Sequence, residues 1–216
     1  MYRGKYLFLS MVVALLMLSG CGKESKIVEF GKPALYWYQK MGNSIASGQL
    51  DKADNYFVSL KSEHVRSPFI PKAMLILATS HMDNEEYLLA NYYLDAYEKR
   101  YGGSGDGMQI AFMKLKASFF SVKDVYKDQK LIIDTITQAE SYKVRYAESP
   151  YLSLVNTMLI RLQMSQYLLN ENIAALYGRT GKPEAAKIYR AKNKGSIVEL
   201  KDIAPPKKGF VGKIFD

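Results

Sequence analysis

The chain has 216 residues, a formal net charge of +9 at neutral pH, 48% hydrophobic residues and one cysteine. This length suits one domain with a sizeable core or an elongated repeat array, and a single cysteine leaves packing alone to hold the fold. Two histidines, and the lack of an HExxH pattern, a phosphate loop or a nucleophile elbow, argue against metal-dependent or nucleophilic catalysis, and no nucleic-acid-binding signature accompanies the basic charge.

Arg3 and Lys5 begin the chain, Tyr6 to Leu18 is apolar but short for a bilayer span, and Leu18-Ser19-Gly20-Cys21 closes the run. This pattern resembles a bacterial lipoprotein signal. The resemblance implies removal of residues 1–20, acyl chains on Cys21 as the one covalent group carried, and a body tethered to a membrane. By the same resemblance, Gly22 in place of Asp implies sorting to the outer membrane. A plain secretory peptide, or a short anchor helix with an incidental cysteine, is the competing reading. Removing residues 1–20 takes away Arg3 and Lys5 and no acid, which leaves +7. Residues 21–32, polar from Gly22 to Lys26, read as the lipidated cysteine and a tether.

Residues 33–194 carry helical periodicity and almost no strand signal. In Gly48-x-Leu50-x-x-Ala53-x-x-x-Phe57-x-x-Leu60 a turn residue precedes apolar or small residues at three- and four-residue steps, one stripe of a helix. The pattern returns in Glu85-x-Tyr87-x-x-Ala90-x-x-x-Leu94-x-x-Tyr97. Ala53 and Ala90 stand 37 residues apart, close to one helix–turn–helix repeat, and a small residue there lets two helices approach. Asp106–Val122 and Asp128–Tyr146 read as a further antiparallel pair. Ser67-Pro68 and Ser149-Pro150 each look like an N-cap followed by proline at the first helical position. Pro150 to about Tyr177 predicts one long or bent helix. A third copy follows at Ala174-x-x-Tyr177-x-x-x-Gly181-x-Pro183-x-x-Ala186-x-x-x-Arg190, where Gly181 ends one helix and Pro183 starts the next. Residues 195–216, with Pro205-Pro206 and Lys207-Lys208, form a C-terminal tail.

These copies resemble the tetratricopeptide repeat, with Trp37 opening the first, Ala78 and Ala174 as the small residues of first helices, and Ala53, Ala90 and Ala186 of second helices. His81 stands where that family usually has tyrosine. The expectation is an all-α solenoid of about four helical hairpins.

Stacked hairpins leave a groove lined by first helices that can take an extended or helical peptide. Tyr36, Tyr38, Asn43, Met74 and Leu77 are the peptide-binding candidates in the first two repeats, although most of the 17 tyrosines are expected in the core. Between Arg179 and Lys194, six basic residues face Glu184 alone. Arg179, Arg190 and Lys194 are the candidates for charge-steered docking of a partner, against the alternative of a solvated helix face. His64 near a helix end is expected at the surface, His81 between paired helices. Gly102-Gly103-Ser104-Gly105-Asp106-Gly107 lacks the Lys-Ser/Thr of a phosphate loop and reads as an inter-repeat turn.

A lipoprotein signal followed by such repeats resembles the BamD family of outer-membrane β-barrel assembly. The resemblance rests on Gly48-Gln49-Leu50-Asp51-Lys52-Ala53, on Glu86-Tyr87-Leu88-Leu89-Ala90, and on Ala175-Leu176-Tyr177-Gly178-Arg179-Thr180-Gly181-Lys182-Pro183-Glu184-Ala185-Ala186, across about residues 30–193. It implies a non-catalytic scaffold on the periplasmic face of the outer membrane. Its implied partners are the periplasmic domains of the barrel-forming assembly subunit, unfolded outer-membrane proteins and accessory lipoproteins. The family often has five repeats, so contacts carried by a fifth are in question here. A pilotin-like lipoprotein for secretin assembly and an accessory subunit of a cell-wall enzyme are the alternatives.

Overall fold

The computed structural model describes residues 29–102 and 105–194. The chain divides into two compact units, Met1–Lys32 and Pro33–Asp216, and every helix named below belongs to the second. Cys21 and the tail from residue 195 lie outside the described residues.

Eight helices and no strand occur among the described residues. In chain order they are α1 (Ala34–Ala46), α2 (Leu50–Glu63), α3 (Phe69–Asp83), α4 (Tyr87–Tyr101), α5 (Gly107–Ser121), α6 (Gln129–Arg145), α7 (Leu152–Arg179) and α8 (Pro183–Lys192). Each packs chiefly on its sequence neighbours, and α1 also reaches α3 as α5 reaches α7. This is the contact pattern of a solenoid, in which each unit buries its apolar face on the next. The architecture is the expected all-α, tetratricopeptide-like stack of hairpins.

Three of the four hairpins close with the same turn, and the cause is local. Gly48, Glu85 and Gly181 hold φ of 70°, 61° and 73°. The residue after each donates its N–H five residues back, Gln49 to the Ser44 carbonyl, Glu86 to His81 and Lys182 to Tyr177, at 2.8, 2.8 and 2.9 Å. These bonds satisfy carbonyls that the helix end would otherwise orphan, the Schellman arrangement of a left-handed residue after a helix. The sequence pattern found at Gly48, Glu85 and Gly181 is therefore the signature of this turn. The α5–α6 hairpin departs from it. There Asp128 Oδ2 accepts the backbone N–H groups of Lys123 and Asp124 at 3.0 and 2.9 Å, an aspartate-held loop that carries no glycine.

The two Ser-Pro pairs act as caps, but the regular helices begin slightly later than expected. Ser67 Oγ accepts from Phe69 N–H at 3.2 Å, and Ser149 Oγ from Tyr151 N–H at 3.1 Å. Each proline thus occupies the entry turn, where its missing N–H costs nothing, and α3 and α7 start at Phe69 and Leu152.

The core falls into two clusters that share α5. The first, over α1–α5, holds Trp37, Met41, Phe57, Leu60, Leu77 and Leu94; the second, over α5–α7, holds Phe112, Leu115, Ile132, Tyr142, Val155 and Leu162. Ile110 and Ala117 of α5 face one cluster, Phe112 and Leu115 the other. Ala53, Ala90, Ala139 and Ala186, on the four second helices, are all buried, as are Ala78 and Ala174 on first helices. Small side chains at these points admit the neighbouring helix. The 28-residue α7 is the predicted long helix: its first half closes the second cluster, and its second half pairs with α8.

Candidate functional site: two surfaces and a buried polar node

The first two hairpins are tied together by a polar node rather than by apolar packing alone. His81 of α3 is 1% exposed; its Nδ1 lies 2.5 Å from Glu86 Oε2 and its Nε2 3.0 Å from Asp54 Oδ1. Tyr93 OH donates to the same Asp54 oxygen at 2.6 Å, and its ring stacks on the imidazole at 5.6 Å between centroids. Burial, then the Asp54 hydrogen bond, raises the Tyr93 phenol well above its usual value, which keeps it neutral. Each ring nitrogen thus lies within hydrogen-bond distance of a carboxylate oxygen, one on α2 and one at the entry to α4. His81 therefore takes the expected position between paired helices, where it joins α2, α3 and the start of α4. His64, expected at the surface, is half-buried where α2 ends. Among the described residues no cluster of three His, Cys, Asp or Glu is placed to hold a metal ion, and no helix is long and apolar enough to cross a membrane.

The expected peptide groove is only partly composed as the sequence reading had it. Tyr36 and Tyr38 are half-buried on α1, and Asn43 is exposed near its end. Met74 and Leu77 are corrected: at 2% and 0% exposure they belong to the first core cluster and offer no surface to a peptide. The reason is that α3 sits between α1, α2 and α4, so its apolar residues are claimed by three neighbours. What lies beside Tyr38 instead is Phe69, stacked at 4.9 Å and 23°. Phe69 lines an open cleft of about 540 Å³ together with Ala34, His64, Arg66 and Pro68. Arg100 of α4 donates to the Val65 carbonyl at 2.6 Å and so pins the α2–α3 turn that forms one wall. Sequence reasoning missed Phe69 and Arg66. The available signal was an aromatic directly after the Ser67-Pro68 cap, at a turn that faces the first helix.

The basic candidates do not form one cluster. Arg179 ends α7 at the tip of the last hairpin, whereas Arg190 and Lys194 lie at its other end, where Arg190 Nε is 3.9 Å from Glu171 Oε2. Eight residues of α7 separate positions 171 and 179, about 12 Å at 1.5 Å per residue. All three are exposed. Between them Tyr177 and Tyr189 pack at 5.7 Å, with Lys192 4.1 Å above the Tyr189 ring. The hairpin thus presents an aromatic strip edged with lysine and arginine, and Leu176 and Ile188 add exposed apolar area. Cation–π contact of this kind orients a lysine without neutralising it, which leaves its charge available to an acidic partner.

Residues 32–193 match the model of the YfiO family, described as an outer membrane lipoprotein. The chain is 37% identical over 184 residues to the outer membrane protein assembly factor BamD of Helicobacter pylori, an alignment covering 85% of this chain and 84% of that protein. The chain belongs to this family. It is also 22% identical over 175 residues to the BamD of Caulobacter vibrioides, covering 75% of this chain and 57% of that longer protein. The family match begins two residues before α1 and ends one residue after α8, so it coincides with the helical stack described above.

Proposed function

We propose that this protein serves outer-membrane protein assembly as a lipid-anchored, non-catalytic scaffold. The reading is carried by one observation: family likeness at 37% identity, to a protein named as an assembly factor, runs through the whole helical stack and not through one motif. Cys21 carries the acyl chains and holds the stack at the periplasmic face of the outer membrane. The cleft lined by Phe69, with Tyr38 stacked on that ring and Tyr36 and Asn43 elsewhere on α1, receives segments of unfolded outer-membrane proteins, because stacked aromatics give a chain of aromatic residues faces to pack on and polar tips to bond. The α7–α8 hairpin, through Arg179, Arg190 and Lys194, docks the periplasmic domains of the barrel-forming assembly subunit, with charge setting the approach and the tyrosine strip the contact. Accessory lipoproteins gather on the remaining surface, and nucleic acid has no part.

Depletion of the protein with measurement of outer-membrane porin levels tests the role. Porin levels should fall as the protein is lost; unchanged levels would refute the proposal. Co-purification separates the alternatives: the barrel-forming subunit supports this reading, a secretin supports the pilotin-like one, and retention on peptidoglycan supports the cell-wall one.

A further inference from the structure

The first three hairpins have two edges, and charge divides them. One edge carries the turns within hairpins; the other carries the corners α2–α3, α4–α5 and α6–α7, where one hairpin passes to the next. The corners are neighbours in space. Arg100 at the end of α4 donates to the Val65 carbonyl of the first corner at 2.6 Å, and Glu98, Arg145 and Tyr146 line one small pocket between the second corner and the third. The helices that end here, α2, α4 and α6, finish with Lys61, with Lys99 and Arg100, and with Lys143 and Arg145, and Arg66 follows in the first corner. Complementing a helix dipole does not account for this bias, because the same dipole acts at the turn edge, where α1 and α5 end without a basic residue.

The cations of the two edges are also held differently. At the turn edge Lys123, Lys127 and Lys130 pair with Glu85, Asp124 and Asp134. None of the six corner cations forms an ion pair among the described residues. The acids beside them are engaged inward: Glu63 accepts from the Trp37 indole, Glu98 holds Lys114 and Asp106 accepts from the Tyr97 hydroxyl, each at 2.8 Å, which leaves Glu148. Apolar tips stand among the cations. Val65, 54% exposed, precedes Arg66, and Val144, 85% exposed, lies between Lys143 and Arg145. Cations flanking exposed apolar tips suit a lipid interface, where apolar atoms enter the headgroup layer and the charges meet phosphates.

We infer that the corner edge of the first three hairpins rests on a phospholipid surface, its six cations on the phosphates of anionic headgroups and Val65 and Val144 between them. This rests on the lipid-anchored reading above. Cys21 stands 13 residues before Ala34, so acyl chains there hold Ala34 within about 45 Å of the lipid. Ala34 opens α1 beside the α2–α3 corner, where it lines the Phe69 cleft, so the chain from Cys21 enters the stack at its basic edge. That point of entry favours a lipid surface over an acidic protein as the occupant. Seated this way, the Phe69 cleft opens beside the membrane.

The test uses the processed chain, residues 21–216 with Cys21→Ser, which keeps every helix and carries no acyl chain. Its binding to vesicles of phosphatidylethanolamine with about one third phosphatidylglycerol, at low salt, should be at least about tenfold tighter than to phosphatidylcholine vesicles. Lys61→Gln, Lys99→Gln and Lys143→Gln together should weaken that binding at least about tenfold at unchanged helicity. Lys52→Gln, Lys127→Gln and Lys130→Gln, the same loss of charge at the turn edge, should change it less than about threefold. Equal losses would assign the attraction to net charge and overturn the proposal. So would no binding to the anionic vesicles, which would leave the edge to an acidic protein. A polarity-sensitive fluorophore locates the contact: attached at Val144→Cys it should shift to the blue when anionic vesicles are added, and at Gln49→Cys it should not. A shift at Gln49→Cys, or none at Val144→Cys, would overturn the assignment of this edge. Failure here counts against the edge and not against the anchor, which incorporation of labelled palmitate at Cys21 of the intact protein reports separately.

Discussion

Replacing His81 by phenylalanine tests whether the buried polar node, and not apolar burial alone, couples the first two hairpins. Phenylalanine keeps the ring and its stack on Tyr93, so the substitution subtracts only the contacts to Asp54 and Glu86. A hydrogen bond to a charged group contributes about 1.5–3 kcal/mol. Both carboxylates keep some access to water, with side chains 25% and 40% exposed, and Asp54 retains the Tyr93 hydroxyl, so the loss falls at the low end. At about 1.5 kcal/mol for each of the two contacts, the expected destabilisation is about 3 kcal/mol, or about 6–12 °C in Tm for a chain of this size. Urea unfolding followed by far-UV circular dichroism at neutral pH measures it. A double-mutant cycle with Asp54→Ala should return a coupling of about 1 kcal/mol, because the two side chains share one contact. A loss below about 0.5 kcal/mol, or strictly additive effects, would refute the coupling.

Glu85 holds the left-handed conformation that glycine holds in the first and last hairpins, at a cost of about 1–2 kcal/mol, so Glu85→Gly should raise stability by roughly 0.5 kcal/mol after the added unfolded-state entropy. A lower Tm in the variant would show that the Lys123 contact of Glu85 outweighs the strain. Leu162→Ala should cost about 2–5 kcal/mol and, since the core is divided, accelerate amide exchange in α5–α7 before α1–α2; uniform acceleration would contradict two clusters. Alkaline titration reports on Tyr93. Its phenol is raised in the folded state, so its contribution is intact below the ordinary tyrosine value near 10 and declines as pH rises beyond it. Tyr93→Phe should flatten that alkaline loss, and an unchanged profile would remove Tyr93 as its source. Tyr38→Ala should weaken binding of an aromatic-ended outer-membrane-protein peptide about tenfold at unchanged helicity, whereas Met74→Ala should act by lowering stability; binding insensitive to Tyr38 would dismiss the cleft.

Helices, their pairing and the repeat itself were legible in the chain because each is set by short-range chemistry. Apolar steps of three and four residues, a serine before proline and a left-handed residue five positions ahead of a buried alanine all act within a turn or two. The third hairpin shows the limit. Its aspartate-held loop leaves no glycine signature, so it could be recognised only as a pair of periodic stretches. Family membership was also readable, since the Ala175–Ala186 run and its companions are contiguous in sequence.

Which side chains are left open to solvent was decided only by the tertiary structure. Met74 and Leu77 share an apolar helix with Phe69, and no local rule separates them. Neighbouring α1, α2 and α4 enclose the first two and leave Phe69 at an open cleft beside Tyr38. Likewise, the basic residues of the last hairpin read as one run in sequence, yet an antiparallel turn sends Arg179 and Arg190 to opposite ends. Periodicity specifies that a face is apolar; only the packing of other helices determines whether that face is covered.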